Sequence, residues 1–260
     1  MTKTTYPIIF AGAGPGDPEL MTIKSMKAIE RADLVVYAGS LVPEAVLCWK
    51  GQQTETISSA GMALDEIINT MVSAVETGKK VVRLHTGDPS LYGAIFEQIR
   101  ELQARNVSYE VIPGVTAAFA AAAAMGMEYT LPEVTQTLIL TRMSGRTPVP
   151  EQEALEKLAA HKSSMAIYLS IGLAGKVQSI LEEAYGKESP CAIAYKVSHP
   201  EEAIFFTTTG KLSETCEKER VTRHALIIVG KAVEACLGNV ELIKSKLYDA
   251  SFTHGYRQAK

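Results

Sequence analysis

The sequence contains few cysteines, and no spacing that would join them into a site. The 260 residues include four, far apart and without a C-x-x-C pair: Cys48, Cys191, Cys216 and Cys236. Structural zinc sites and disulfide frameworks both need closely and regularly spaced cysteines. We therefore expect reduced thiols in a cytoplasmic protein, with no protein-bound metal.

A strong charge of one sign and long apolar runs are also missing. The formal net charge of −3 at pH 7 provides no overall attraction to nucleic acid or to an anionic membrane. No apolar run approaches the roughly 20 residues that a membrane-spanning helix needs. The first residues, MTKTTYPIIFAG, contain no apolar stretch of signal-peptide length. We expect a soluble protein that binds neither nucleic acid nor a membrane.

The sequence does contain short apolar runs that alternate with helical patterns. In the first half these predict strands over residues 8–11, 34–38, 81–85 and 109–112, and helices over residues 22–31, 64–75 and 94–104. Such an alternation is typical of an α/β fold with mostly parallel strands and helices on both faces of the sheet.

The pattern starts again after about residue 128. It predicts strands over residues 137–141, 165–169, 191–195, 203–209 and 225–230, and helices over residues 151–160, 174–185 and 212–219. The two consecutive strands after residue 190 indicate a mixed sheet with antiparallel pairs. We therefore expect two α/β domains, residues 1–130 and 131–260, with Gly126 and Pro132 near the boundary.

Three loops in the first half begin where predicted strands end. They are GAGPGDP (12–18), TGDPSLYG (86–93) and PGVTAA (113–118). Open α/β sheets bind ligands beyond the carboxyl ends of their strands, and glycine allows the backbone to approach a ligand closely. Taken alone, the first loop fits a tight structural turn as well as a ligand site. For Asp88 in the second loop, a helix N-cap followed by Pro89 is the alternative to a ligand contact.

The first loop does not match a dinucleotide or nucleoside-triphosphate site. The G-x-G-x-x-G fingerprint needs glycine where this chain has Asp17, and the second strand ends in Tyr37-Ala38-Gly39 instead of an acidic residue. The Gly-Lys-Ser/Thr sequence of a P-loop is absent from the loop as well. A nicotinamide-dependent oxidoreductase is therefore a weaker hypothesis, as is a non-catalytic sensor of an adenosyl ligand.

In combination, the three loops resemble the tetrapyrrole methylase family. The matching segments are GAGPGDPELMT (12–22), ADLVVYAGSLV (32–42), RLHTGDPSLYGAI (83–95) and VIPGVTAA (111–118), and the resemblance covers almost the whole chain. Within the family, LPEVTQTLILTR (131–142), GRTPVPE (145–151) and SKLYDASFTHGYR (245–257) are similar to the C11-methylating branch. The Met143-Ser144 pair departs from that branch, which carries a Glu before the glycine.

The resemblance implies a fold, a cofactor and a reaction. The fold would be two α/β domains with the active-site cleft between them, in a homodimer. The methyl donor would be S-adenosyl-L-methionine, and the acceptor cobalt-precorrin-4, methylated at C11 in cobalamin biosynthesis. Metal-free precorrin-4 remains an alternative acceptor, as do other tetrapyrrole methylations (C17, C20, uroporphyrinogen-III). Diphthine and rRNA methylases share the fold, but the missing basic surface argues against RNA.

The resemblance also assigns donor contacts to positions of this chain. They are Pro15, Thr86, Gly87, Asp88, Leu91, Thr116, Ala117, Leu169, Lys196 and Ala225. Asp88 and Tyr92 are the candidates for a catalytic role, although displacement at a sulfonium does not require a general base.

The tetrapyrrole acceptor carries several carboxylates, and the planar fork of Arg suits a carboxylate better than Lys does. Arg142 and Arg146 are the first candidates for anchoring it, and His85, His254 and Arg257 are further ones. Arg83, by contrast, is expected on the solvated surface with Lys79 and Lys80.

Overall fold

A computed structural model describes residues 7–239 and 245–259 of the chain. The chain divides into two compact units, Met1–Ala120 and Ala121–Lys260. No helix in the described ranges is both long and apolar enough to cross a membrane.

The first unit alternates strands and helices, as the apolar pattern predicts. Its strands are β1 (Ile8–Gly12), β2 (Leu34–Tyr37), β3 (Glu55–Ser58), β4 (Val81–His85) and β5 (Tyr109–Ile112). Its α-helices are α1 (Ile23–Glu30), α2 (Leu64–Glu76) and α3 (Ile95–Ala104), and α4 (Ala117–Met125) runs across the division between the units. Short 3-10 helices cover Pro18–Leu20 and Glu44–Trp49.

The strands of the first unit form one sheet in the order β3-β2-β4-β1-β5, and every pair in it is parallel. All of the carboxyl ends therefore lie at one edge. Side chains alternate between the faces: Phe10 and Val36 belong to the cluster that packs on α2, whereas Val35 and Leu84 belong to the cluster on the α1 side. This sheet confirms the predicted parallel α/β fold.

The sequence pattern does not predict β3, because its four residues, Glu-Thr-Ile-Ser, include a single apolar side chain. Among the strands that the structure describes, β3 lies at the edge of the sheet and pairs with β2 alone. An edge strand of this kind needs no apolar alternation, and so it leaves no periodic signal.

The second unit contains a mixed sheet, which confirms the other half of the fold prediction. Its strands are β6 (Leu138–Arg142), β7 (Ser164–Tyr168), β8 (Pro190–Tyr195), β9 (Ala203–Thr208) and β10 (Ala225–Val229), in the order β6-β7-β10-β8-β9. β6 and β7 are parallel, and the remaining pairs are antiparallel.

The helices of the second unit cover a core that centres on β7, β8 and β10. They are α5 (Leu155–Ala159), α6 (Ala174–Tyr185), α7 (Leu212–Lys218) and α8 (Lys231–Cys236). Short 3-10 helices cover Glu151–Glu153, Ile171–Leu173, Thr209–Lys211 and Lys246–Tyr248. The helix predicted over residues 151–160 is instead a 3-10 turn followed by the short α5, and α8 was not predicted.

Candidate active site

The backbones of the three loops meet at three glycines at the carboxyl edge of the first sheet. A Cβ built on Gly12 would lie 2.5 Å from Gly114 Cα and 2.6 Å from Gly87 O. A Cβ on Gly114 would lie 2.1 Å from Gly87 O. These contacts leave no room for any side chain, so glycine is required at positions 12 and 114 to bring the loops together.

Backbone hydrogen bonds join the first loop to the second. Gly87 N donates to Gly14 O over 2.8 Å, and Gly14 N donates back to Gly87 O over 3.3 Å. Ala13 N also donates to His85 O over 2.7 Å. Gly14 and Gly87 have φ angles of 73° and 60°, which a residue with a Cβ adopts only with strain. The two loops are thus joined by reciprocal backbone hydrogen bonds.

The carboxylate of Asp88 connects the second loop to the third. Its Oδ2 accepts a hydrogen bond from Gly114 N over 2.8 Å, and its Oδ1 accepts from Ser90 N, also over 2.8 Å, and from Ser90 Oγ. Burial opposes ionisation, but the hydrogen bonds from Ser90 and Gly114 outweigh it and lower the pKa of Asp88. The carboxylate is therefore ionised at neutral pH. It caps the turn at residues 88–91, since α3 begins only at Ile95.

The remaining predicted donor contacts of the first unit lie along the same edge. Pro15 and Thr116 are buried, whereas Thr86, Leu91 and Ala117 are half-buried. Tyr92, the other catalytic candidate, is exposed and has a left-handed φ of 56°. The roles of these residues stay predictions; what the structure adds is that all three loops occupy one edge of one sheet.

In the second unit, strand register brings Leu169, Lys196 and Ala225 to one edge of the mixed sheet. Ala225 pairs with Tyr195, directly before Lys196, and Lys196 N donates to His224 O over 2.8 Å. Ile227 pairs with Ile167 in antiparallel register, which places Ala225 opposite Leu169. Leu169 is 66% exposed and has a φ of 52°. This left-handed backbone is a local outlier for a leucine, and the donor contact expected of Leu169 stays a prediction.

Lys196 is paired at this edge. Its Nζ donates to Glu201 over 2.9 Å and lies 5.7 Å from the centre of the Tyr195 ring. The hydrogen bond with Glu201 is the main cause of the raised pKa of Lys196. Because this ammonium already has a carboxylate partner, it offers a second anion less than a full charge.

Arg142 ends β6 and folds back over the loop that follows it. Its guanidinium donates to Thr147 O over 3.0 Å and to Pro148 O over 2.7 Å. Register places Arg142 beside Tyr168, at the same edge as Leu169. Arg146 lies within the loop and is exposed. Arg142 thus shapes the loop, and Arg146 is the arginine that the loop presents to solvent.

The expectation that Arg83 lies on the solvated surface is wrong. Arg83 lies in the middle of β4, at the centre of the parallel sheet, and is 4% exposed. Burial lowers its pKa to about 10, so the guanidinium still carries its charge at neutral pH. The apolar pattern around it indicates a buried strand, and that signal outweighs the usual preference of arginine for the surface.

His85, two residues along β4, is also 4% exposed. Burial, with a smaller contribution from the charge of Arg83, lowers its pKa to about 3. The imidazole is therefore neutral and provides no positive charge for a carboxylate. Among the described residues its Nε2 has no hydrogen-bond partner. The substrate contact expected of His85 stays a prediction, restricted by these facts to a neutral hydrogen bond.

The other two predicted anchors lie in the C-terminal segment. Arg257 donates to the carbonyls of Leu247 and Asp249, and the backbones of His254 and Arg257 pair with each other. Both side chains are half-buried. These hydrogen bonds join residues within 245–259, and a role of either side chain in binding substrate stays a prediction.

No group of three or more His, Cys, Asp or Glu side chains within residues 7–239 and 245–259 is arranged to hold a metal ion. What the sequence reasoning missed is the packing role of Gly12 and Gly114 and the burial of Arg83 with Gln98. The glycines were visible as motif letters, but their mutual contact depends on strand order.

Comparison with known proteins places this arrangement in context. The family model of tetrapyrrole (corrin/porphyrin) methylases matches residues 7–213. A cobalt-precorrin-4 C(11)-methyltransferase from Methanocaldococcus jannaschii is 51% identical over 253 residues, which is 97% of this chain and 96% of that protein. A precorrin-4 C(11)-methyltransferase from Pseudomonas aeruginosa is 42% identical over 96% of this chain and 98% of its own length.

Among solved structures, the X-ray structure of a cobalt-precorrin-4 methyltransferase, a cobalamin biosynthetic enzyme, superposes with a TM-score of 0.85. It shares 42% sequence identity and covers 89% of this chain and 99% of its own. The similarity thus extends across both units and includes the segments that carry the three loops.

Proposed function

The chain belongs to the tetrapyrrole (corrin/porphyrin) methylase family, and from that premise we propose that it transfers a methyl group from S-adenosyl-L-methionine to C11 of cobalt-precorrin-4, in corrin-ring biosynthesis. Two relatives named cobalt-precorrin-4 C(11)-methyltransferase are 51% and 44% identical to this chain, each over at least 95% of its length. At that identity and coverage, the same donor and the same acceptor class are the simplest assignment.

The observation that carries the proposal is the contact among Gly12, Gly87 and Gly114. The three loops pack backbone against backbone at these glycines, and the carboxylate of Asp88 also joins the second loop to the third. Glycine loops packed together at the carboxyl ends of parallel strands suit a ligand that is held through backbone groups.

The residues present in the first unit fit an S-adenosyl group. Gly87 N and O are already paired with Gly14, so we assign the polar contacts of the donor to the backbone at Thr86 and Ala117, and the methyl side chain of Ala117 leaves space beside them. The ionised carboxylate of Asp88 places a negative charge at the same edge as the loop backbones, which favours a cationic ligand. We assign Pro15 and Leu91 to the apolar contacts.

When bound, S-adenosyl-L-methionine supplies a methyl group on a positively charged sulfur. The sulfur departs as a neutral thioether, so the leaving group needs no proton. The residues of this chain then act mainly by holding the reactants in place, and such positioning can be worth ~7–11 kcal/mol. Asp88 fits this account as a clasp between loops, because both of its oxygens already accept hydrogen bonds. Tyr92 remains the candidate for polar contact near the reacting carbon.

For the second unit we propose that Leu169, Ala225 and Lys196 contribute donor contacts. Their common edge and the left-handed backbone of Leu169 support this assignment. Arg146 would bind an acceptor carboxylate, with Arg142 holding its loop in shape.

The test is incubation of the purified protein with methyl-labelled donor and cobalt-precorrin-4. One new ring methyl at C11, located by NMR, is the expected result. A labelled methyl at another ring carbon would contradict the C11 assignment, and no transfer to any precorrin would overturn the proposal.

Metal-free precorrin-4 is the second candidate acceptor, because a relative named for it is 42% identical over 96% of this chain. Parallel assays with the cobalt-bound and metal-free substrates decide between them, and we propose the higher kcat/KM for the cobalt form. We also propose that the protein is cytoplasmic and forms a homodimer. Light scattering during size-exclusion chromatography tests the dimer.

A further inference from the structure

Arg83 presents a physical problem that the proposed reaction does not resolve. Its guanidinium lies at the centre of the parallel sheet, yet in the part of the chain that the structure describes it takes part in no ion pair. A buried charge without a countercharge lowers stability, so a chain selected only for stability would carry an apolar residue at this position.

The hydrogen bonds of Arg83 lead to different elements. Its Nε donates to Gln98 Oε1 in α3 over 3.1 Å, and its Nη1 donates to Ser59 Oγ, just after β3, over 2.9 Å. Nη1 also lies 3.3 Å from Val36 O of β2, as a weaker donor contact. A rigid, planar side chain therefore joins three elements near the carboxyl edge of the sheet.

Gln98 extends this network to the end of the second loop. Its Nε2 donates to Ala94 O over 3.2 Å, and Gln98 itself is buried. Ala94 has a φ of 48° and Tyr92 a φ of 56°, so the segment between them is held in a conformation that these residues rarely adopt. A Cβ on Gly93 would lie 2.2 Å from Pro89 O, which shows how tightly this segment is folded.

We propose that Arg83 and Gln98 are positioning residues, which hold the segment at residues 91–94 in its left-handed conformation and so preset the second loop for the methyl donor. The inference rests on the proposed function, because it takes the second loop as a donor contact. Arg83 acts through Gln98 and Ala94 and touches neither donor nor acceptor.

The main test is the double variant Arg83→Met/Gln98→Leu, which replaces both polar side chains by apolar ones of similar volume. Such replacements of buried charge are frequently neutral or stabilising, so Tm should stay unchanged or rise. Calorimetric titration with S-adenosylhomocysteine should nevertheless show a Kd raised roughly tenfold, because the loop is no longer preorganised. KM for the donor should rise in the same proportion, with kcat changed far less.

A second variant keeps the inference testable if the double variant does not fold. Gln98→Glu retains a partner for Arg83 and adds a countercharge, but it cannot donate to Ala94 O. A structural role alone predicts a higher Tm with unchanged affinity for S-adenosylhomocysteine, whereas a positioning role predicts a higher Tm with weaker affinity.

Thr54→Val serves as the matched control. Thr54 is buried and its Oγ1 donates to Ala32 O over 2.7 Å, but it precedes β3, at the opposite edge of the sheet. Loss of this hydrogen bond in Thr54→Val should lower Tm slightly and leave the affinity for S-adenosylhomocysteine unchanged. Stable Arg83 and Gln98 variants with unchanged Kd and KM would overturn the inference. A parent protein that does not bind S-adenosylhomocysteine would instead overturn the proposed function.

Discussion

At the scale of single residues, Gly114 has the tightest position in the candidate site. A methyl group at this position would collide with Gly87 O and lie 2.9 Å from Gly12 Cα, and neither backbone can move away without separating the loops. We expect Gly114→Ala to cost about 2 kcal/mol of stability, as overpacking does, and to abolish measurable binding of S-adenosylhomocysteine.

Gly61→Ala is the control for that prediction, because a Cβ on Gly61 would meet nothing within 4 Å. Calorimetry and thermal denaturation of the two variants give the comparison. Equal ligand affinity in Gly114→Ala and the parent would show that the loops need not meet in order to bind.

Asp88→Asn separates a clasp from a general base. The amide oxygen can still accept from Gly114 N, but the amide nitrogen cannot accept from Ser90. If Asp88 is a clasp, Asp88→Asn should lower the stability of the protein by about 1 kcal/mol and weaken donor binding, with little change in kcat. Removal of a general base would instead lower kcat about 10²–10⁴-fold, and single-turnover kinetics distinguish the two.

The lowered pKa of Asp88 also predicts a pH dependence. A carboxyl whose pKa is depressed by folding stabilises the folded state above its unfolded pKa of about 4, and that contribution is lost as the pH falls through the lowered value. Asp88 joins two loops that are proposed to bind the donor, so donor affinity should follow the charge of this carboxylate. Titration of Asp88 should therefore cause no change in donor affinity between neutral and alkaline pH. It should decline only on the acid side, and this acid decline should be absent in Asp88→Asn.

At the scale of elements, the loop after β6 assigns different work to its two arginines. Arg142→Ala removes hydrogen bonds to Thr147 O and Pro148 O, so it should loosen the loop, raise KM for the tetrapyrrole and increase protease cleavage within residues 143–150. Arg146→Ala should raise that KM by about tenfold without changing cleavage or the KM for the donor.

Steady-state kinetics and limited proteolysis together check this division. A larger effect of Arg142→Ala on acceptor KM with no change in cleavage would reverse the two roles. Arg146→Lys is a useful companion, because it keeps the charge and removes the fork.

At the scale of the whole molecule, ligand-dependent stability tests the family assignment without any acceptor. S-adenosylhomocysteine at one hundred times its Kd should stabilise the folded protein by about 2.7 kcal/mol and raise Tm by several degrees. NADH at the same concentration should leave Tm unchanged, because the first loop lacks the third glycine of the dinucleotide fingerprint. A shift with NADH alone would favour the oxidoreductase hypothesis.

Much of the fold could be read from local patterns. The buried strands β1 and β4 and the helices α2 and α6 are marked by apolar spacing, which depends on the neighbouring residues alone. The exposed edge strand β3 has no such spacing. The break between the 3-10 turn at Glu151–Glu153 and α5 was not predicted from helical spacing either.

By itself, the sequence determined the α/β class, the mixed sheet of the second half, the three loops and the family they resemble. These features are local, since they depend on periodicity and on short segments. Only the tertiary structure decided that Gly12, Gly87 and Gly114 touch, that Asp88 holds Gly114, and that Arg83 is buried. Each of these depends on strand order and register, which pair residues far apart along the chain and which no local pattern encodes.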